Sequence, residues 1–236
     1  LSVLSALEQI SGRGQRGNTW SSAPGENLTF SIVLKFSIPG NIREILPAVK
    51  AYDQFILIEI ASVSMVGFLY RHGIDAQIKW PNDIYIGRRK ICGMLIENSI
   101  RGSHLSSSII GIGLNINQRN FDVSIPNPIS MSLCRPEAHF DIHPKDKTEV
   151  TGIGYEPWHY RYVGRENAAK IRESGLCLEE FLVIFNDNLS RYLTYTTENE
   201  RDIVYRNLRR EYLSYLWLLN EPAEFYDVTA SRKFQG

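Results

Sequence analysis

What this chain has little of narrows it first. Its three cysteines, Cys92, Cys134 and Cys177, are odd in number, widely spaced and without a CxxC pair. They fit free thiols in a reducing compartment better than a disulfide frame, and the expected location is the cytoplasm. No sign of charge dominates, because 26 Lys and Arg residues offset 26 Asp and Glu. The overall field therefore gives no reason to expect a nucleic-acid or membrane-surface partner, and any phosphate site has to be local. The most apolar run, residues 55–70, is interrupted by Glu59, Ser62 and Ser64. It falls short of the ~20 apolar residues that span a bilayer and reads as a buried helix. The opening LSVLSALEQ lacks a basic region and a small-residue cleavage site, so it reads as a strand and not a secretory signal, and a natural N-terminus is expected to be missing. No GK[ST] triplet follows the glycine-rich run, and neither the helix of a dinucleotide fingerprint nor a helix-turn-helix accompanies it.

What remains is ordinary globular composition with a legible order of elements. Residues 28–36, LTFSIVLKF, are rich in β-branched and aromatic side chains and predict a strand that Pro39 and Gly40 end. Residues 44–72 predict a mainly helical segment, with Pro47 disturbing only its first turns and Gly73 as its stop. Short strands are expected at 76–80, 84–86, 91–97 and 107–112, divided by turn signals such as Pro81-Asn82-Asp83 and Gly87-Arg88-Arg89. Sequential strands joined by tight turns argue an antiparallel or mixed sheet with the long helix over one face, an α+β layout. Residues 118–155 carry four prolines and read as loop; helix returns from about Arg165, with apolar residues at helical spacing over 178–193 and 198–218. The expected division is a core over 1–133, an atypical loop-rich insert over 134–177, helices over 178–220, and the start of a small β module over 221–236.

Three motifs combine small residues with groups that bind anions. In QISGRGQRGNTW, residues 9–20, Gly12, Gly14 and Gly17 allow positive φ and close backbone approach, while Arg13 and Arg16 offer bidentate contacts to phosphate or carboxylate. Alone, such a run is more often merely a turn. In KWPNDIYIGRRKICGMLIE, residues 79–97, Asn82 and Asp83 sit in a turn, Lys90 begins a strand seven residues after Asp83, and Gly93 is the small residue of that strand. A lysine there is ordinarily a surface cap; a glycine inside a strand marks a bulge or a close ligand. In GIGLNIN, residues 111–117, two glycines and two asparagines end an apolar strand, and Asn115 or Asn117 could equally satisfy turn backbone.

Taken together, GRGQRGNTW, KWPNDIYI with RKICGMLIE, and GIGLNIN resemble, in order and spacing, the catalytic domain of biotin protein ligases over residues 1–133, with weaker likeness from about residue 178 to the end. The resemblance implies a fold like that of class II aminoacyl-tRNA synthetases, a mixed, largely antiparallel sheet with helices on one face. It implies adenylation of biotin by ATP to biotinyl-5'-AMP, with Mg²⁺, then transfer to a lysine of a carboxylase biotin carrier domain; a lipoate or octanoate ligase or transferase of the same fold is the alternative. A homodimer stays open. Carried over residue by residue, Gln9, Gly12, Arg13, Gly14 and Gln15 would contact biotin, and Arg13 and Arg16 would serve the chemistry with Lys90, which would meet the biotin carboxylate and the α-phosphate. Arg16, Trp20, Asp83, Gly93 and Asn115 would face the nucleotide, Trp20 against the adenine and Asp83 in the metal-phosphate environment. No protein-held metal site is implied. The plain alternative for Trp20 is a half-buried core indole.

Such chemistry asks for these residue types. A carboxylate attacking a phosphate brings two anions together, so arginine, lysine and backbone N–H groups must spread the charge, and no side-chain nucleophile is needed. Three features depart from the family pattern. The Ser/Thr-rich biotin-binding segment expected upstream is not in these residues, Gln15 stands where a basic residue is common, and the C-terminal β module is only a stub. Residues 148–180 separately resemble the last motif of VanY-type D-Ala-D-Ala carboxypeptidases, with Glu156 as the base and His159 as a zinc ligand. A zinc site needs about three protein ligands, and the counterpart of the first peptidase motif, residues 139–146, is distorted. The plain alternative is an inserted or fused fragment.

Overall fold

The computed structural model describes residues 2–37, 46–138, 140, 177–193 and 198–216. The α+β expectation holds in them. One antiparallel sheet runs in the order β1 (Ser2–Ala6), β4 (Asn27–Lys35), β8 (His104–Asn115), β7 (Arg89–Arg101), β6 (Asp83–Ile86) and β5 (Gln77–Lys79). A separate hairpin of β2 (Gln9–Arg13) and β3 (Thr19–Ser22) lies between β1 and β4 in sequence.

The period-two alternation of β4 decides which side of the sheet is core. Leu28, Phe30 and Ile32 are buried and sit opposite Leu114, Ile112 and Ile110 of β8, so apolar pairs face each other across the two central strands. Each such side chain contributes roughly 1.5–3 kcal/mol by leaving water. The intervening residues, Thr29 and Ser31 on β4 with Gly111 and Gly113 on β8, occupy the other face. Strands β7 and β8 run several residues beyond the apolar positions that signalled them; their polar ends, Asn98 to Arg101 and His104 to Ser108, pair as a hairpin turning at Gly102. Backbone pairing extends there without any hydrophobic pattern to announce it.

Helix α1 (Ile56–Arg71) covers the core face and is buried nearly all round, as expected of residues 55–70. By length and composition Ala51–Arg71 is apolar enough to cross a membrane, and most of it is buried inside this fold. The segment ends where expected, at Gly73 with φ 70°. It begins later than expected. Residues 46–50 are extended: Leu46 bridges Phe36, Lys50 bridges His104, and Leu105 N donates to Val49 O. Pro47 explains this, since the residue before a proline is pushed out of the helical region and the ring itself lacks a donor. The remainder of the expected helix, 44–45, lies outside the described residues.

Among its described residues, the expected loop over 118–155 contains a short helix, α2 (Met131–Cys134), capped by Ser130, whose hydroxyl accepts from Leu133 N. Helices α3 (Cys177–Leu193) and α4 (Glu198–Ser214) complete the layer, the last one ending before residue 218. Phe181 of α3 meets Phe30 of the sheet edge-on at 5.4 Å and Phe68 of α1 at 6.3 Å, tying the helix layer to the sheet. One carboxyl is trapped in this layer. Glu59 of α1 is buried beside Arg209 of α4, at 3.4 Å, and burial pushes its pKa up to about 7 against the pull of that guanidinium. The expected helix from Arg165, the insert over 141–176 and the module over 221–236 lie outside the described residues.

Candidate functional site

A single line of residues runs across five strands on the face opposite the core. Ala6 pairs with Thr29, Thr29 with Gly113, Gly113 with Gly93, and Gly93 with Asp83. The next line is Leu4, Ser31, Gly111 and Leu95. Two adjacent glycines in the middle of a sheet leave a depression, and an open cleft of about 550 Å³ lies over them, lined also by Gln9, Arg13, Gly14, Gln15, Trp20 and Lys90.

The β2–β3 hairpin forms the wall of this cleft. The glycine-arginine run is therefore not a plain loop but two short strands joined by a 3-10 turn, Gln15–Gly17. Of its three glycines only Gly17 adopts positive φ, at 80°. Gly12 is required for another reason: a Cβ there would stand 2.6 Å from the Trp20 carbonyl oxygen and 2.7 Å from the Gln9 side chain. The hairpin is anchored over the sheet by Arg13, whose Nη2 lies 3.6 Å from Glu97 Oε1 at the exposed rim. Arg16 is described only through its backbone in the turn; its side chain lies outside the described atoms.

Trp20 occupies the floor. Its indole rests on the glycine pair so closely that a Cβ at Gly113 would fall 2.3 Å from the ring, and one at Gly93 would fall 3.4 Å from it. Its Nε1 is sealed without a hydrogen-bond partner, and so is Oγ1 of Thr29, the neighbour of Gly113 in the same row. Gly93 is thus a point of close approach, by Trp20 and by Lys90, whose Nζ would lie 3.0 Å from an added Cβ. The bulge in this part of the sheet falls instead between Ile84 and Tyr85, opposite Ile91.

Lys90 is more than a surface cap. Its Nζ sits 2.7 Å from Asp83 Oδ1, with about a third of the side chain exposed, and 5.9 Å from the Trp20 ring centroid. Its backbone is held from behind: Lys90 N donates to Asn127 O at 2.8 Å, Ile129 N donates to Lys90 O at 3.0 Å, and Arg89 Nη2 donates to Pro128 O at 2.7 Å. Asn115 belongs to this support. It is buried at the end of β8, outside the cleft lining, and its Nδ2 donates to Ile129 O at 3.0 Å. Asn117 is likewise committed to structure, donating to Phe140 O. Cys92, beneath the floor, is fully buried, and burial holds its thiol protonated well above its ordinary range.

The structure therefore brings Gln9, Arg13, Gly14, Gln15, Trp20, Asp83, Lys90 and Gly93 around one cleft and sets Gly12 and Asn115 behind its walls. Thr29 and Ser31 are lining residues that the motifs did not single out, and they pair with the motif glycines Gly113 and Gly111. Their signal was present in the alternation of LTFSI and GIG, which puts each polar or small residue on the face opposite the leucines and isoleucines. Among the described residues no group of three His, Cys, Asp or Glu side chains could hold a metal ion. Glu156 and His159 lie outside the described residues.

Comparison with known proteins places this geometry. Residues 2–115 match the model of the biotin/lipoate A/B protein ligase family. The bifunctional ligase/repressor BirA of Bacillus spizizenii is 36% identical over 118 residues, 50% of this chain and 33% of that protein. The chain thus spans about a third of the length of that relative. A D-alanyl-D-alanine carboxypeptidase of Enterococcus faecalis is 68% identical over 40 residues, 17% of this chain and 15% of its own, in keeping with the second resemblance. Among solved structures, a biotin protein ligase from Aquifex aeolicus in complex with biotin and ATP superposes with a TM-score of 0.54 at 24% identity, over 93% of this chain and 70% of that one. The described residues form the catalytic-domain fold of a biotin protein ligase, and residues 2–115 match the biotin/lipoate A/B protein ligase family model.

Proposed function

We infer that this domain joins biotin to ATP as biotinyl-5'-AMP and passes the biotinyl group to a lysine of a carboxylase biotin carrier domain. The observation that carries the reading is the cross-strand row ending at Asp83, which is ion-paired with Lys90, with Arg13 of the hairpin facing the same cleft. The Aquifex aeolicus protein of this fold is named for biotin and holds biotin and ATP, which favours biotin over lipoate or octanoate as the acid.

In this reading the acid lies on the glycine pair with its carboxylate at Lys90. A carboxylate oxygen attacks the α-phosphorus, a P–O bond forms, the bond to the β-phosphate breaks and pyrophosphate leaves. Lys90 turns from Asp83 to the carboxylate and α-phosphate oxygens, and Arg13, Arg16 and the N–H groups of the hairpin spread the growing charge. Gln9, Gly12, Gly14 and Gln15 line the acid; Gly93 and, from behind, Asn115 border the nucleotide. Trp20 vacates the glycine pair and lies against the adenine, closing water out from the mixed anhydride. A lysine amine then attacks the acyl carbon, AMP departs, and the amine proton goes to solvent. Magnesium is held mainly by substrate phosphates with one or two carboxylates, which suits a cleft lined by the carboxylates Asp83 and Glu97. It would supply neutralisation of the phosphate charge. Cys92, Cys134 and Cys177 form no disulfide, which suits the reducing cytoplasm.

Incubating the 236-residue chain with ATP, biotin and a carrier domain tests this. Mass spectrometry should show one biotinyl group on the carrier lysine; an unmodified carrier beside a folded chain speaks against the reading.

A further inference from the structure

Thr29 stands out among the groups around the cleft. Its side chain is only 7% exposed, its Oγ1 has no hydrogen-bond partner, and it lies on the cleft face between Ala6 and Gly113. Burying a hydroxyl without a partner costs stability, and threonine gains nothing here that valine would not supply. A chain keeps such a group where something else completes its bonds. The Trp20 indole lies on Gly113, the neighbour of Thr29 in this row, and its own Nε1 is also unpartnered. The floor of the cleft thus carries two unsatisfied polar atoms, one on Thr29 and one on the ring that rests on its row neighbour Gly113.

Distance sets what can reach Thr29. Lys90 Nζ stands over Gly93, and Thr29 is two strands away along the same row. Two strand spacings are about 10 Å, a span that an acid with a short chain and a ring head bridges with its carboxylate at Lys90. We propose that the Thr29 hydroxyl is a specificity-determining contact that hydrogen-bonds a polar ring atom at the far end of the acid. The ring class it selects is a cyclic urea or amide. An alkyl end or a dithiolane ring leaves the hydroxyl without a hydrogen-bond partner. This rests on the activity inferred above and adds to it the residue that reads the head of the substrate.

The test compares Thr29→Val and Thr29→Ser with the unaltered 236-residue chain in biotin-dependent pyrophosphate exchange and in thermal melting without ligand. Thr29→Val should raise KM for biotin about three- to tenfold, as loss of one net hydrogen bond does. It should leave kcat and KM for ATP unchanged, and melt no lower than the unaltered chain. Thr29→Ser should restore KM. An unchanged KM in Thr29→Val overturns the assignment, as does melting several degrees lower, which would show the hydroxyl bonded within the protein. Failure of the inferred activity is seen separately, as absence of biotin-dependent exchange in the unaltered chain.

Discussion

The indole of Trp20 rests on Gly113 so closely that no β-carbon fits between them; one placed there would lie 2.3 Å from Cε2 and 2.6 Å from Cζ2. A large aromatic ring therefore fills the depression that the two paired glycines create. Any acid seated on those glycines has to replace it.

Gly113→Ala should consequently expel Trp20 from the floor, because the indole is a rigid ring and the strand beneath it is fixed on both sides. Gly93→Ala should be milder, since its closest neighbour is the flexible end of Lys90, at 3.0 Å. Trp20 emission, read by difference against a Trp20→Phe chain, should shift to the red in Gly113→Ala and much less in Gly93→Ala.

Biotin binding to the unaltered chain should move the same ring. Titration with biotin in the absence of ATP is expected to change Trp20 emission saturably. A signal that is identical in the Trp20→Phe chain would place the ring elsewhere in the bound state.

Asn115 tests the support behind Lys90. Its amide donates to Ile129 O, and Ile129 N in turn donates to Lys90 O. Asn115→Ala leaves a buried carbonyl short of a partner and should cost about 1–3 kcal/mol in chemical denaturation. It should also lower kcat for pyrophosphate exchange while KM for biotin moves little, because the lysine is displaced and the acid seat is not.

Glu59 gives a pH dependence with a definite sign. Its folded pKa is raised from 4.5 to about 7, first by burial, with Arg209 pulling the other way and Tyr192 and Tyr212 facing it. A raised carboxyl pKa means that the unfolded chain releases its proton first. The contribution is full below about pH 4.5 and is lost as pH rises through about 7, a difference of roughly 3 kcal/mol. Urea denaturation across that window should show stability falling with pH, and Glu59→Gln should flatten the fall.

The parts legible in the sequence are those where local pattern and tertiary role coincide. Alternation in residues 28–36 and the turn signals between the later strands gave the antiparallel sheet, and uninterrupted apolarity gave α1. The onset of α1 is not legible locally, because the apolar residues around Pro47 suit a helix as well as a strand; the stretch pairs with the sheet at Phe36 and His104. At the site, Lys90 and Asp83 were visible as charged residues at strand ends, but their mutual contact depends on strand register, which no local motif encodes. The alternation of LTFSI shows which face Thr29 is on, but not its neighbours: Gly113 beside it and Gly93 one strand further follow from register alone.

The central claim is that an acid is activated at the glycine pair beside Lys90. Pyrophosphate exchange into ATP, measured with biotin, lipoate and octanoate as alternative acids, tests it most directly in the unaltered chain and in Lys90→Ala. The expected result is exchange driven by biotin and reduced at least about a hundredfold in Lys90→Ala, as for removal of a preorganised transition-state charge. Exchange driven only by lipoate or octanoate, or full exchange in Lys90→Ala, would contradict it.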